Sequence, residues 1–329
     1  MTDKSLLDLS GVTKRFPGVV ANDDVTFSIL PGEVHALFGE NGAGKSTLVK
    51  IIYGVQRPDE GEMRFDGKPY APAKPSEARA LGIGMVFQHF SLFEALTVAD
   101  NVALGMNKEA VGSHLDEQII EVSKAYGLTL DPARYIGSLS VGERQRVEII
   151  RCLLQKPRLL IMDEPTSVLT PQEVEILFQT LRQLSSEGCS ILYISHKLEE
   201  IRELCEKATV LRGGKVVATC DPREETAKSL AEMMIGTSFK FAERQVHELG
   251  KDRLVVNNLT TVSHDPFGVD IRDVSFRVRS GEIFGIGGVA GNGQVELMEA
   301  LIGEITTVAD SICLDGEAIG TMGPTARRE

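Results

Sequence analysis

The chain has 329 residues, a length that suggests about two domains at ~150 residues each. Hydrophobic residues make up 42% of the chain and charged residues 25%, which excludes a disordered chain or a fibre. The formal net charge of −12 argues against nucleic-acid binding, because an acidic surface repels phosphates. The longest apolar runs have the size of strands, well short of the ~20 residues of a membrane-spanning helix.

The predicted elements alternate between strands and helices. Val34–Phe38 is a short apolar run, followed by a glycine-rich turn and a helical pattern over Lys45–Ile52. Two further runs, Leu159–Met162 and Ser190–Ile194, are also strand-sized. Continuous apolar strands between helical patterns predict a parallel sheet covered on both faces, so the predicted fold class is α/β.

The residues between the first two apolar runs, and those after the third, have other patterns. Between positions 88 and 157, Leu115–Tyr126 and Gly142–Leu154 place apolar residues at helical spacing, which predicts a helical insertion. Two apolar runs around a Gly-Gly turn then predict a hairpin with strands over Ala208–Leu211 and Val216–Thr219. A helix over Ala227–Met234 is predicted to close the domain.

An internal repeat divides the chain. Pro31–Ala80 aligns without gaps with Ser280–Glu329, and eleven of the fifty positions are identical, mostly glycines and turn residues that fix backbone geometry. The second copy ends where the first continues into its next apolar run. We therefore expect a first domain over residues 1–238, a linker over 239–252, and the N-terminal part of a second, degenerate domain over 253–329 of a longer tandem protein.

The N-terminal residues and the cysteines give two further expectations. Met1–Leu9 carries two aspartates and no long apolar stretch, so we expect no signal peptide. The five cysteines are widely spaced and contain no C-x-x-C pair, which is typical of neither a disulfide framework nor a zinc site. We predict that all five are small buried hydrophobic residues in a reducing compartment.

A phosphate-binding loop follows the first apolar strand. Gly39–Thr47 matches G-x-x-x-x-G-K-[ST] between a strand and a helix, the context that makes this motif informative. Glycines let backbone N–H groups point at phosphate oxygens, and the helix N-terminus adds a positive field. The lysine supplies charge to the β- and γ-phosphates, and the following hydroxyl can ligate Mg²⁺. The predicted nucleotide-binding residues of this loop are Gly39, Asn41, Gly42, Gly44, Lys45, Ser46 and Thr47.

Two adjacent carboxylates, Asp163 and Glu164, end the apolar run that begins at Leu159. An Asp in this position can hold the Mg²⁺ shell, and the next Glu can orient and deprotonate an attacking water. A helix cap is the alternative for Asp163, but two acids after a buried strand indicate more than capping. We predict that Ser46 and Asp163 are metal ligands and that Glu164 is the general base.

A third motif selects the family. Leu139–Arg146 resembles the LSGGQ signature of ABC ATPases, although Val141 replaces a glycine and Glu143 replaces the glutamine. Ser140 and Gly142 at a helix start could bind a phosphate from a facing subunit. The alternative for this segment alone is an ordinary serine N-cap with a capping-box acid at Glu143.

The resemblance to ABC ATPases covers about residues 6–236 and then the second copy, and it implies roles for further residues. Gln88 matches the Q-loop, which contacts metal and water, and His196 matches the histidine that contacts the γ-phosphate. Phe16 matches the aromatic residue that stacks on adenine, with a core or surface Phe as the alternative. Pro165–Thr170 matches the D-loop, with Thr170 where an Asp is commoner.

Four segments narrow the resemblance to tandem importer ATPases. The signature variant and His196–Glu200 resemble the simple-sugar importers of the ribose and galactose type. Thr166–Glu173 and Gly288–Gln294 favour their nucleoside-importer relatives. The resemblance implies a P-loop NTPase fold with a mostly parallel core sheet, an antiparallel β subdomain and a helical subdomain. It also implies ATP and Mg²⁺ as cofactors.

The same resemblance implies partners and a location. The expected partners are two transmembrane permease subunits and an extracytoplasmic solute-binding protein, with no nucleic acid and with a homodimer of this chain as a further possibility. The protein would lie at the cytoplasmic face of the membrane. The apolar, loop-rich stretch Phe90–Gly105 after Gln88 predicts the surface that meets the permease, with a buried core position as the alternative for Phe93. The transported solute is not encoded in an ATPase subunit, which never contacts it.

The second glycine-rich loop is altered. Gln294, Val295 and Glu296 stand where the first loop has its lysine, serine and threonine, so efficient Mg²⁺-assisted hydrolysis is not expected there. An active site built on Lys45 would then need a signature from the second copy. The alternative function is a soluble ABC ATPase acting on ribosomes or DNA, which Gln294 and the acidic charge disfavour. The signature segment disfavours a GTPase or kinase.

Overall fold

The chain forms two compact units, Met1–Lys240 and Phe241–Glu329, in a computed structural model. The structure describes residues 4–88, 90–106, 114–237, 248–263, 268–288 and 291–328. Most of the predicted linker, positions 239–247, lies outside the described residues, as do positions 289 and 290 of the second glycine-rich loop. No helix within the described ranges has both the length and the apolar character needed to cross a bilayer.

The first unit combines strands and helices in alternation. Its strands are β1 (Leu7–Phe16), β2 (Val19–Ile29), β3 (Val34–Phe38), β4 (Glu60–Phe65), β5 (Lys68–Pro69), β6 (Ile83–Val86), β7 (Leu159–Asp163), β8 (Ser190–Ile194), β9 (Lys207–Arg212) and β10 (Lys215–Cys220). Its α-helices are α1 (Lys45–Ile52), α2 (Pro75–Ala80), α3 (Val98–Gly105), α4 (Leu115–Ala125), α5 (Val141–Leu153), α6 (Pro171–Ser186), α7 (Leu198–Leu204) and α8 (Ala227–Ile235). A single 3₁₀ turn over Ile136–Ser138 precedes α5.

A six-stranded sheet in the order β10-β9-β3-β8-β7-β6 forms the centre of the first unit. The pairs from β9 to β6 are parallel, and β10 alone pairs antiparallel as the second strand of the predicted hairpin. All five residues of β3, β7 and β8 are buried. The predicted parallel sheet of continuous apolar strands is therefore confirmed.

Burial on both faces explains why these strands are apolar without alternation. Successive residues of β3 point to opposite faces, so Ala36 and Phe38 join one hydrophobic cluster and Leu37 joins another. In β7, Leu160 and Ile161 divide in the same way. The inner strands β3, β7 and β8 consequently lie between two cores, whereas the edge strand β10 has one exposed face.

Two further layers complete the first unit. The strands β2-β1-β4-β5 form a separate antiparallel sheet. Helices α3, α4 and α5 occupy the region between β6 and β7, and they confirm the predicted helical insertion. A mostly parallel core sheet, an antiparallel sheet and a helical region are the three parts expected for the fold.

The second unit repeats the antiparallel part of the first. Its elements are β11 (Asp252–Thr261), β12 (Ile271–Arg279), α9 (Gln294–Ile302), a 3₁₀ turn (Ala309–Ser311), β13 (Ile312–Leu314) and β14 (Glu317–Ala318). The sheet order β12-β11-β13-β14 matches β2-β1-β4-β5. Asp66 and Asp315 both have φ 52° in the matching turns, and Gly44 (φ 102°) and Gly293 (φ 94°) both precede a helix. The repeat therefore extends to backbone geometry.

The structure extends the repeat further towards the N-terminus than the gapless alignment did. The backbone N–H of Asp24 donates to Thr13 Oγ1 at 3.0 Å, and that of Asp273 donates to Thr260 Oγ1 at 3.1 Å. Eleven positions separate the first pair and thirteen the second. The second hairpin is thus two residues longer, which shifts the alignment and hides the relationship from a comparison without gaps.

One part of the second unit differs from its counterpart in the first. Positions 282–288, the counterpart of β3, form no strand, and Ile283 is fully exposed. In the first unit β8 and β9 hold β3 from both sides, and the described part of the second unit has no strands equivalent to them.

The expectation of five buried cysteines is wrong. Only three are buried, Cys152, Cys189 and Cys205, whereas Cys220 and Cys313 are partly exposed.

Candidate functional site

The glycine-rich loop connects the carboxyl end of β3 to the first turn of α1. A Cβ at Gly39 would overlap the carbonyl oxygen of Leu211 in β9, so the loop starts against a neighbouring strand. Gly44 has φ 102°, a left-handed conformation that favours glycine, and a Cβ there would overlap the carbonyl oxygen of Ala21. These two glycines are required by the close approach of backbone on both sides of the loop.

Lys45 lies inside the curl of this loop and its side chain is buried. Its Nζ donates to the carbonyl oxygens of Gly39 at 2.7 Å and Glu40 at 3.0 Å. Burial lowers the pKa of Lys45, whereas the carboxylates of Glu164 and Asp163 act to raise it. The ammonium group is therefore held close to both acids by short loop contacts.

A cavity of about 390 Å³ opens at this loop. It brings together residues from five separate stretches of the chain. Its lining residues are Val19, Ala21, Asn41, Gly42, Gly44, Lys45, Ser46, Thr47, Gln88, Glu164 and His196. Nine of these are predicted site residues, and the parallel sheet places them together because its carboxyl ends meet at one edge.

The Glu164 carboxylate contacts the side chains of two other predicted site residues. Gln88 Nε2 donates to one carboxylate oxygen, Oε2, at 3.0 Å, and His196 Nδ1 lies 3.2 Å from the other, Oε1. The backbone N–H of Glu164 donates to the carbonyl oxygen of Ile194 at 2.9 Å. Glu164 has φ 48°, which is uncommon for a residue with a side chain. The carboxylate thus has a fixed direction into the cavity.

The donor set at this edge fits a hard divalent cation. The Ser46 hydroxyl, the Gln88 side-chain amide and the Asp163 carboxylate offer oxygen ligands, which Mg²⁺ prefers. Within the described residues no cluster of three or more His, Cys, Asp or Glu side chains could hold a metal by itself. A site with one carboxylate suits Mg²⁺, because this ion keeps several waters and binds phosphates as further ligands.

Five predicted residues do not line the cavity: Phe16, Gly39, Ser140, Gly142 and Asp163. Asp163 is buried at the end of β7, directly before Glu164. Phe16 ends β1 opposite Val19, a cavity-lining residue, and its ring is 40% exposed with Lys14 Nζ 5.7 Å from the ring centre. Phe16 therefore lies at the rim, and its predicted stacking on adenine stays a prediction.

The signature segment forms the serine N-cap and capping box that the sequence allowed as the alternative to a phosphate-binding segment. Ser140 caps α5, its Oγ accepting from the Glu143 N–H at 3.2 Å while its own N–H donates to Glu143 Oε2 at 2.8 Å. Arg134 pairs with the same carboxylate at 2.5 Å. Gly142 lies against the Glu173 carboxylate, the end of a flexible side chain on α6. Binding of phosphate by Ser140 and Gly142 stays a prediction.

Val19 and Ala21 are site residues that sequence reasoning missed. They lie on β2, whose tip reaches the glycine-rich loop, and Asn22 Nδ2 there donates to the Gly44 carbonyl at 3.2 Å. No local motif marks them, since their role depends on how the antiparallel sheet packs against the loop.

Residues 22–167 match a family model described as ABC transporter. The chain is 41% identical to the nucleoside import ATP-binding protein NupA of Lactococcus lactis, over 98% of this chain and 65% of the relative. It is 42% identical to the ribose import ATP-binding protein RbsA 1 of Rubrobacter xylanophilus (99% and 65%). It is 41% identical to the guanosine import ATP-binding protein NupO of Bacillus subtilis (97% and 63%). The chain thus spans less than two thirds of the length of these relatives.

Solved structures give a consistent result for the fold. The ADP conformation of MJ1267, an ATP-binding cassette of an ABC transporter, matches 71% of this chain and 99% of that chain, with a TM-score of 0.63 and 27% identity. A dimeric post-hydrolysis state of the cassette MJ0796, bound to ADP and Pi, matches 67% of this chain with a TM-score of 0.59 and 28% identity.

Proposed function

We propose that this chain is an ABC ATP-binding protein whose first unit binds and hydrolyses MgATP to energise an importer. The observation that carries this proposal is the single cavity that gathers the loop lysine, a carboxylate, a histidine and a glutamine. The relatives' names refer to nucleoside, guanosine and ribose import. The proposed cargo of the whole system is therefore a nucleoside or a simple sugar.

The geometry supports one division of roles. Backbone N–H groups at the start of α1 and the Lys45 ammonium would hold the β- and γ-phosphates. Ser46, Gln88 and Asp163 would hold Mg²⁺, which neutralises charge that develops on the phosphate oxygens. Glu164 would orient the attacking water and take its proton, and the His196 ring beside it would contact the γ-phosphate.

Binding of a fluorescently labelled ATP tests the first part of the proposal, and the chain itself has no tryptophan to follow. Lys45→Ala should abolish binding, because the loop loses the side-chain cation that lies inside it. Lys50→Ala is the matched control, since Lys50 is exposed on the same helix. Equal loss in both variants, or retained binding in Lys45→Ala, would contradict the proposal.

A groove on the first unit suits a membrane-protein partner. A cavity of about 300 Å³ is bordered by Phe87, Phe93 and Leu104 together with Arg79 and Arg151. Phe93 and Leu104 are each 62% exposed, so the alternative of a buried core position does not hold for Phe93. We propose that a short helix of the permease, apolar with an acidic residue, occupies this groove at the cytoplasmic face of the membrane.

Reconstituted transport tests the proposed docking surface. Phe93→Glu should abolish solute uptake and copurification with the permease, because a charge enters the apolar part of the groove, while ATPase activity of the isolated chain stays unchanged. Val217→Glu, on the exposed side of β10, is the control for the added charge. Normal uptake by the Phe93→Glu protein would place the docking surface elsewhere.

A further inference from the structure

A buried carboxylate lies behind the candidate site. Glu200, in the first turns of α7, is buried and accepts three hydroxyl hydrogen bonds. The donors are Thr166 Oγ1 at 2.8 Å, Tyr193 OH at 2.8 Å and Ser195 Oγ at 3.2 Å. Lys197 Nζ completes the set with an ion pair at 3.0 Å. A buried charge with this many partners defines the positions of the segments that supply them.

Lys197 connects the same two segments a second time. Besides its ion pair with Glu200, its Nζ donates to the backbone oxygen of Thr166 at 3.0 Å and lies 3.2 Å from Thr166 Oγ1. Its backbone N–H donates to Ser195 Oγ at 3.1 Å. The loop after β7 and the loop after β8 are therefore joined through one closed network of side chains.

Residues of this network lie next to His196 and near Glu164 in sequence, and the side chains of these two residues meet in the cavity. Ser195 and Lys197 flank His196 in sequence, and Thr166 follows Glu164 by two positions. His196 and Glu164 in turn lie 3.2 Å apart, at Nδ1 and Oε1. Glu164 has a left-handed backbone conformation, which persists only where the surrounding structure fixes it. None of the four groups around Glu200 lines the cavity itself.

We propose that Glu200 is a positioning residue that holds the loops of Glu164 and His196 in register for hydrolysis. It contacts neither nucleotide nor metal, and it acts by fixing Thr166 on one side and Ser195 and Lys197 on the other. This inference rests on the proposed ATPase function. It predicts an effect on turnover and not on binding, since the hydrogen bonds and the ion pair of this network do not reach the glycine-rich loop that would bind the phosphates.

The first test compares turnover with binding in Glu200→Ala. We expect kcat to fall about tenfold to a hundredfold, because small displacements of reacting groups have effects of this size. Affinity for labelled ATP should stay unchanged. Glu203→Gln, on the exposed side of the same helix and paired with Arg182 at 2.8 Å, is the matched control and should keep wild-type turnover. If Glu200→Ala does not fold, Thr166→Val is the second variant. It removes one hydroxyl from the network and should give a smaller loss of kcat.

The second test does not depend on activity. Amide hydrogen exchange of Glu200→Ala should be faster in both 164–167 and 195–197 than in the wild-type protein. Faster exchange confined to α7 would show a purely local packing role and would overturn the inference. So would wild-type kcat in both Glu200→Ala and Thr166→Val. Absence of ATP binding or turnover in the wild-type chain would instead contradict the proposed function, while the exchange experiment still decides the role of Glu200.

Discussion

At the residue scale, Glu164 is the point where the predicted chemistry converges. Its two carboxylate oxygens separately face the Gln88 amide and the His196 ring, and its charge acts on the buried Lys45. These three residues come from motifs that lie far apart in sequence. A carboxylate held in this way has one free direction, towards the cavity, which suits a group that orients a water.

Replacement of Glu164 by glutamine should separate binding from hydrolysis. We expect Glu164→Gln to bind MgATP normally and to lose turnover by about 10²–10⁴-fold, the usual contribution of a general base. Phosphate release and labelled-ATP titration measure the two properties. Glu175→Gln removes the same charge from an exposed position on α6 and should behave as wild type. Wild-type turnover in Glu164→Gln would remove this residue from its role.

The cysteines should divide into two reactivity classes. Burial raises the pKa of Cys152 and Cys189 to about 12 and raises that of Cys205 further, so their thiolate fractions at neutral pH are very small. Cys220 and Cys313 are partly exposed. Maleimide labelling of the native chain, followed by peptide mass spectrometry, should modify these two first and the other three only after unfolding. Rapid native labelling of Cys152 would contradict the buried geometry.

At the element scale, the start of β3 contains a buried pair that supports the central sheet. Glu33 accepts from the Leu30 N–H at 2.8 Å, and its other oxygen lies 2.7 Å from His35 Nδ1. His35 Nε2 lies 2.8 Å from Thr209 Oγ1 in β9. Burial acts to raise the pKa of Glu33, but the bonds from His35 and Leu30 outweigh it and hold the pKa below its usual value.

A lowered pKa in the folded state gives a pH dependence of defined sign. The stabilising contribution of Glu33 is fully present above its unfolded pKa and is lost as the pH falls through its folded pKa. Glu33→Gln should therefore lower the free energy of unfolding near neutral pH by about 1–3 kcal/mol, with a smaller difference in acid. Urea unfolding at neutral and acidic pH measures this. Exposed Glu62→Gln should show no such trend.

Gly291 and Gly293 of the second glycine-rich loop keep the left-handed backbone of Gly42 and Gly44, but the residues that follow differ. Gly293 precedes α9 as Gly44 precedes α1, but Gln294 and Glu296 stand at the lysine and threonine positions. The Glu296 carboxylate accepts from the Val269 N–H at 2.9 Å. An acid in the first turn of this helix repels phosphate, so we expect the loop to bind nucleotide poorly.

Substitution of Gln294 should therefore have little effect. We expect Gln294→Ala to keep the ATP affinity and turnover of the unmodified chain, because the proposed nucleotide site lies in the first unit. Equilibrium binding of labelled ATP and phosphate release in the same preparation measure both. A large loss in Gln294→Ala would show that the second loop contributes to nucleotide binding.

At the scale of the whole molecule, the sequence predicts the buried strands best. Val34–Phe38 and Ser190–Ile194 are strands with the predicted ends, because burial on both faces leaves an unbroken apolar run. The antiparallel sheets came from the resemblance and not from a local pattern, since their strands carry mixed polar and apolar residues. Tertiary placement also explains the site residues that were missed. Val19 reaches the cavity, and Glu200 joins two loops, only after the sheets have packed.

The position of β3 in the sheet has a consequence for how the protein is made. Its two neighbours, β8 and β9, lie more than a hundred and fifty residues later in the chain, as the pairs Val34–Ile191 and His35–Lys207 show. Contacts of such long sequence separation form slowly, and during translation they must wait until the later strands have left the ribosome. The phosphate loop is synthesised early, but the two strands that hold β3 in place arrive late. Acquisition of nucleotide binding by a nascent chain would therefore mark the completion of the sheet, and release of bound nucleotide would mark its loss.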